Sequence, residues 1–302
     1  MSDTGPRFVW VDGSLRPAGE THLSVFDRGF QLGDGVFETL RARGGHVTEL
    51  AEHTARLRRS AEGLAIELPA DVGPLVASGI ADLLAAEGLA GPDADASVRI
   101  TVSRGPWTSR GLLPPSSVHL VPTLVIQAWP VAPAPVDHLE RGLSLVASAV
   151  RRDPSNPIVT LKTTSRADYV FARLEARRAG AEDAVFLTMS GHLSEGTTAN
   201  IFLVRTAPDG VVELATPALD CAILPGTTRS WLLRWAAGVG LRPVEGWLTP
   251  DELAAASEAF MSSSVAGVLP VTRFNGHPIG SGVPGPWTLR ARADREAVFG
   301  TV

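Results

Sequence analysis

Hydrophobic and polar positions alternate with two different periods along this chain. "RFVWVDG" reads as a strand closed by the turn pair Asp12-Gly13. "GVFETLRAR", from Gly35 to Arg43, alternates with period two and predicts another strand. "TELAEHTARLRRSAEGLAI" then changes period. Leu50, Leu57 and Leu64 recur every seven residues with Ala61 on the same side, which predicts an amphipathic helix with Thr48 as its N-cap. A second helix is expected around "VGPLVASGIADLLAAEG", ended by glycine, and strands around "SVRITVSRG" and "HLVPTLVIQAW". The proline-rich "PVAPAPVDH" after Trp129 reads as a stiff connector. Beyond it the pattern predicts a strand in "LSLVASAV", a helix in "SRADYVFARLEARRAG" and a strand in "EDAVFLTM". Turn pairs Ser190-Gly191 and Asp209-Gly210 bracket "ANIFLVRT" as a further strand, and helices are expected over "TTRSWLLRWAAGVG" and "PDELAAASEAF". The pattern as a whole implies an α+β chain divided into residues 1–128, a linker at 129–136, and residues 137–302.

Composition narrows the function classes. With 44% hydrophobic and 20% charged residues, the 302-residue chain reads as globular, with about two domains. The net charge of -5 and the scattered arginines give no footprint for nucleic acid or an anionic membrane. No secretory signal or membrane-length apolar run is legible, and the single cysteine, Cys221, fits a reducing cytoplasm and reads as a buried structural thiol. No spacing suggests a zinc site.

Of the 27 basic residues, 26 are arginine and one, Lys162 in "IVTLKTTSRADY", is lysine. Arginine holds anions but does not act as a neutral amine nucleophile, whereas a desolvated lysine does. Lys162 is therefore a candidate for amine chemistry, with a solvated loop lysine as the competing reading. Glu195 in "GHLSEGTTANIF" lies between a turn and a strand, followed by Gly196 and small residues that leave room for a flat ligand. "LPGTTRSW" puts Thr227 and Thr228 at a helix start, where N–H groups and hydroxyls suit an anion, and "FMSSSVAG" adds Ser262, Ser263 and Ser264. Ordinary capping explains either stretch as well. Arg56, on its helix, suits a bidentate phosphate contact or plain solvation. An amine, an acid and a set of phosphate donors are together what pyridoxal phosphate needs.

In order along the chain, "FDRGFQLGDGVFETLR", "HTARL", "RGPWTSRG", "LKTTS", "SEGTTANIF", "LPGTTR" and "MSSSVAGVLPV" resemble the fold type IV pyridoxal-phosphate enzymes. That family holds D-amino acid, branched-chain and (R)-amine transaminases and aminodeoxychorismate lyase. The resemblance implies a small N-terminal α/β sandwich, a larger C-terminal pseudo-barrel domain that binds the cofactor, and a cytoplasmic homodimer with sites at the subunit interface. It implies that Lys162 holds the cofactor as an imine and moves the Cα proton. Glu195 would pair with the ring nitrogen, and Arg56, Thr227, Thr228 and Ser264 would bind the phosphate; at Ser264 the family usually has threonine. The family's tyrosine soon after the lysine is missing from "TTSRAD", and its role is not transferred to Tyr169. In "RGPWTSRG" the resemblance makes Arg110 the substrate-carboxylate ligand, with Arg104 nearby and Leu112 in place of a histidine. Arg28 and Phe37 are candidates to reach the pocket of a second subunit. The implied activity is transfer of an amino group between a D-amino acid or (R)-amine and a 2-keto acid. The alternatives are aminodeoxychorismate lyase and a branched-chain transaminase.

Overall fold

The computed structural model describes residues 5–132 and 134–300; residues 1–4, 301–302 and Pro133, which falls in the expected connector, lie outside them. The described chain packs into two compact units. The first holds the residues up to Ala132 together with Leu161–Arg166 and the end of the chain from Phe299; the second holds 134–160 and Ala167–Val298.

In the first unit, Asp12 and Gly13 both take positive φ (46° and 93°), which suits the two-residue turn joining β1 (Phe8–Val11) to β2 (Ser14–Pro17). A short helix, α1 (Arg28–Leu32), leads into β3 (Gly35–Arg43) and β4 (His46–Val47). Helices α2 (Leu50–Gly63) and α3 (Val72–Glu87) precede β5 (Asp95–Ser103) and β6 (Thr123–Pro130). The strands form one antiparallel sheet in the order β2-β1-β6-β5-β3-β4. Period two in β3 puts Val36, Leu40 and Ala42 on one face, where they join Leu57 and Ala61 of α2 and Val76, Ile80 and Leu83 of α3 in a single core. Each fully buried aliphatic side chain there contributes about 1.5–3 kcal/mol. Leu50 and Leu64 pack against the same core. Thr48 does not cap α2: the N-cap is Glu49, whose side chain makes no capping bond, and the Thr48 hydroxyl instead accepts the Gly300 N–H at 3.0 Å.

The second unit runs α4 (Val136–Glu140), β7 (Leu143–Arg152), α5 (Ala167–Arg178), β8 (Asp183–Thr188), β9 (Leu193–Gly196), β10 (Asn200–Thr206) and β11 (Val212–Pro217). It continues with α6 (Thr227–Gly238), β12 (Arg242–Gly246), α7 (Pro250–Ala254), β13 (Glu258–Ser263), β14 (Gly267–Phe274), β15 (His277–Pro278) and α8 (Pro286–Ala297). Its sheet has the order β12-β11-β10-β13-β14-β7-β8-β9, with β15 on β14. Five strand spacings, about 24 Å, separate β9 from β10 in that order. Gly196 and Asn200 are only four residues apart and span at most about 14 Å. The sheet must therefore curl on itself, which gives the expected pseudo-barrel and completes the α+β architecture.

"PDELAAASEAF" is helical only as far as Ala254, where a Thr249–Glu252 capping box starts a single short helix. Glu258–Ser263 is instead a strand between β10 and β14, because tertiary pairing overrides local helix preference. The Glu258 carboxylate accepts the Trp287 and Thr288 N–H groups (3.1 and 2.7 Å), tying down the start of α8, a helix the pattern reading did not anticipate. Among the described residues no helix is long and apolar enough to cross a membrane.

Candidate active site

The first unit holds the lysine. Lys162 lies outside regular secondary structure, and its main chain fixes it: its N–H donates to Ser60 Oγ (3.0 Å) and its carbonyl accepts the Phe37 N–H (2.9 Å). The Thr164 N–H donates to the Gly35 carbonyl at 2.9 Å, so the segment runs along the start of β3. The half-buried Nζ stands 4.8 Å from the Phe37 ring centroid. Arg99 (4.0 Å) and Arg166 (5.7 Å) crowd the same ring. Burial and the neighbouring Arg166 charge pull the Arg99 pKa below the usual arginine value.

Period two puts Glu38 on the core face of β3, where it is fully buried. Arg56 donates to it from Nε and Nη2, both at 2.7 Å, and His53 Nδ1 lies 2.7 Å from Oε2. Burial raises the Glu38 pKa, but the Arg56 and His53 hydrogen bonds outweigh it and bring the value to about 2. His53 is pulled below its ordinary value, chiefly by burial.

Arg28 and Arg104 both pair with Asp34, at 2.8 and 2.7 Å. Arg28 also donates to the carbonyls of Gly111 and Leu112, and Arg104 to those of Leu64 and Ala65. These guanidinium groups are engaged in holding the unit's own loops. Arg110, immediately before the segment that Arg28 grips, is exposed.

The second unit holds the acid and the hydroxyls. Glu195 on β9 is 4% exposed and accepts from Leu224 N (2.9 Å), Arg152 Nη2 (3.3 Å) and Tyr169 Oη (3.3 Å). At the start of α6, Gly226 is an N-cap without a side-chain bond, and a Cβ there would sit 2.1 Å from Asn200 Oδ1. Thr227 Oγ1 faces Ser264 Oγ at 3.2 Å, whereas the neighbouring Thr228 Oγ1 accepts from Arg295 Nη2 at 3.3 Å. Ser262 Oγ is buried with no hydrogen-bond partner among the described residues. A Cβ at Gly196 would sit 1.9 Å from Met261 Cε, so this buried glycine lies close against the methionine's tip. Cys221 is buried, and burial first, then Asp220, raises its thiol to about 11, which leaves it no thiolate for nucleophilic work.

Lys162, Phe37 and Arg56 thus belong to one unit, and Glu195, Thr227, Thr228 and Ser264 to the other. The pattern reading missed Glu38, Ser60, Arg99 and Arg152. A signal existed for Glu38: a charged residue in register with Val36 and Leu40 on an inward-facing strand. Tyr169, which does not take the role of the family's tyrosine near the lysine, sends its hydroxyl to Glu195.

The model of amino-transferase class IV matches residues 35–274. A putative branched-chain-amino-acid aminotransferase of Methanocaldococcus jannaschii is 33% identical, over 94% of this chain and 93% of its own. A D-alanine aminotransferase of Bacillus licheniformis is 31% identical, over 93% of each. The crystal structure of the Escherichia coli branched-chain amino acid aminotransferase superposes with a TM-score of 0.87 at 26% identity, covering 98% of this chain and 95% of that one. An ordered match over most of the chain, together with the curled sheet, carries the assignment: the chain belongs to the class IV aminotransferases, the pyridoxal-phosphate-dependent enzymes of fold type IV.

Proposed function

We propose that this aminotransferase moves an amino group between a D-amino acid, with (R)-amines as a related donor class, and a 2-keto acid. Pyridoxal phosphate, when bound, supplies the carbonyl that takes up the amino group and the ring that accepts the electrons of the broken Cα–H bond. The residues present fit that group. Lys162 offers the chain's one lysine amine, half-buried and fixed through its main chain at Ser60 and Phe37. Glu195 is a buried carboxylate suited to a protonated ring nitrogen, and Thr227 and Ser264 hydroxyls adjoin an uncapped helix start suited to phosphate, with Thr228 beside them. Arg56 is held by Glu38 along its Nε–Nη2 edge, which fixes the plane in which the guanidinium meets an anion. In the reaction Lys162 Nζ takes the proton from the donor's Cα and returns it on the other side of the transfer.

Arg110 binds the substrate carboxylate in this reading. The observation that carries the D-amino acid assignment is the buried Arg28 gripping the Gly111 and Leu112 carbonyls, because it fixes the loop that presents Arg110. Arg110→Ala is expected to raise KM for D-alanine about tenfold to a hundredfold, the worth of a charge-assisted hydrogen bond. An unchanged KM removes Arg110 from the pocket. The donor class is tested by half-reactions of the cofactor-loaded enzyme with D-alanine, L-leucine, (R)-phenylethylamine and aminodeoxychorismate. Turnover of L-leucine with D-alanine inert would overturn the D-amino acid reading in favour of a branched-chain enzyme. Pyruvate release from aminodeoxychorismate without any keto acid acceptor would replace transfer with elimination.

A cytoplasmic homodimer completes the reading. Phe30 is 76% exposed, and Val25, Phe26, Leu112 and Leu113 are exposed nearby, since Trp107 N–H bonds to the Phe26 carbonyl and Arg28 bonds to Leu112. Such an apolar patch suits a second copy of the chain. Phe30→Asp is expected to halve the mass in sedimentation equilibrium; a wild-type protein that already sediments as a monomer contradicts the dimer.

A further inference from the structure

The carboxylate of Glu195 accepts hydrogen bonds from three donors on different parts of the second unit. Arg152, at the end of β7, is itself buried and sends Nη2 to Glu195 Oε1 at 3.3 Å and to the Ala222 carbonyl at 3.1 Å. Its Nη1 donates to Tyr169 Oη and lies 3.7 Å from Asp168 Oδ2. Tyr169, in the first turn of α5, is kept in place by an edge-to-face contact with Phe186 of β8, with ring centroids 5.2 Å apart. The tyrosine hydroxyl therefore accepts from Arg152 and donates its own hydrogen bond to Glu195 Oε1 at 3.3 Å. Burial works against the Arg152 charge, but Glu195, Tyr169 and Asp168 outweigh it and lift its pKa above the ordinary arginine value.

A carboxylate offers about four acceptor positions. Arg152 and Tyr169 fill the two on Oε1, and Leu224 N–H, at 2.9 Å, fills one on Oε2. Three donors fixed by the surrounding elements set the plane and direction of the carboxylate. Among the described residues one acceptor position remains, and it lies on Oε2.

We propose that Arg152 and Tyr169 are positioning residues that orient the Glu195 carboxylate with a single open acceptor position on Oε2, the position that receives the N–H of the cofactor's ring nitrogen. This rests on the reading of Glu195 as the ring-nitrogen partner. Without Arg152 one position on Oε1 opens, the carboxylate loses its fixed direction and the hydrogen bond it accepts from the ring N–H weakens. Without Tyr169 a second position on Oε1 opens to water or to the ring, and the geometry loosens. Arg152 also ties the Val159 and Ala222 carbonyls, so a fold role accompanies the electrostatic one.

The test uses holoenzyme reconstituted with pyridoxal phosphate carrying 15N in the ring, whose shift reports ring protonation independently of turnover. Arg152→Gln and Tyr169→Phe are each expected to move the shift towards the neutral-ring value at pH 7. Tyr169→Phe is expected to weaken cofactor affinity about threefold to tenfold, the worth of a neutral hydrogen bond, with Arg152→Lys restoring part of the shift that Arg152→Gln loses. Glu195→Gln serves as the reference. If it moves the shift while Arg152→Gln and Tyr169→Phe leave it at the wild-type value, the positioning role is overturned and the Glu195 reading stands. If Glu195→Gln itself leaves the shift unchanged, the Glu195 reading fails and this proposal fails with it. Should Arg152→Gln not fold, Tyr169→Phe decides, since it removes one oxygen and keeps the ring against Phe186.

Discussion

Lys162→Ala is expected to lower the transamination rate by roughly 10⁴-fold, the upper end of what a positioned proton carrier contributes, and to end fixation of the cofactor by borohydride. The cause is chemical rather than structural. Ser60 and Phe37 hold residue 162 through its main-chain N–H and C=O, so truncating the side chain leaves both hydrogen bonds in place. Lys162→Arg sharpens the test. It keeps a cation over the Phe37 ring and near Glu38, where the lysine charge helps to lower the carboxyl pKa. Arginine cannot offer a neutral amine, so this variant is expected to melt with the wild type and remain inactive. A small amine such as methylamine is expected to restore part of the rate to Lys162→Ala and none to Lys162→Arg. Recovery of activity by arginine, or borohydride labelling of the wild type at a site other than residue 162, would sink the assignment.

Which parts of this molecule were legible in the sequence follows from how locally each is determined. Asp12-Gly13 needed only its own backbone to turn, and the period-two run of β3 needed only one face to bury, so both are visible without the fold. Lys162 was visible because an arginine-rich chain retained one amine. Thr48, by contrast, has the chemistry of an N-cap, but its hydroxyl is taken by Gly300, some 250 positions away in the chain. Glu258–Ser263 continues a helical pattern and becomes a strand because β10 and β14 flank it. Arg28 and Arg104, which the resemblance puts near the substrate, also hold Asp34 and four loop carbonyls, contacts that no motif displays. The reach of Tyr169 to Glu195 depends on how α5 packs on β8, which the sequence around Lys162 does not display. For Thr48 and for Glu258–Ser263 the deciding partner is remote in sequence, and period or propensity carries no information about it.

Glu38 gives the largest expected effect on stability. Its carboxylate is 0% exposed and receives Arg56 through two hydrogen bonds of 2.7 Å, with His53 on the same oxygen as Nη2. Removing one partner of a buried ion pair strands the other, so Glu38→Gln is expected to cost about 3–5 kcal/mol and to lower Tm by about 10 °C. Glu38→Gln combined with Arg56→Met removes both charges and is expected to recover most of that loss. The pH dependence has a defined sign. The Glu38 pKa falls from 4.5 to about 2 on folding, so its contribution is complete above 4.5 and disappears as pH drops towards 2. His53 is also depressed from 6.5, so the folded state prefers it neutral and stability declines as pH falls below 6.5. Wild-type unfolding free energy is therefore expected to drop in two stages on acidification, and Glu38→Gln to lack the lower one. A Glu38→Gln protein that melts within a degree of the wild type and keeps the lower stage would show that the pair does not form. The same variant separates scaffold from site, because the Glu38 fork sets the plane of Arg56. If Arg56 meets the cofactor's phosphate, Glu38→Gln must weaken pyridoxal-phosphate affinity at temperatures where the variant is still fully folded. A loss of stability with unchanged affinity would leave Arg56 to the scaffold and the phosphate to Thr227, Thr228 and Ser264.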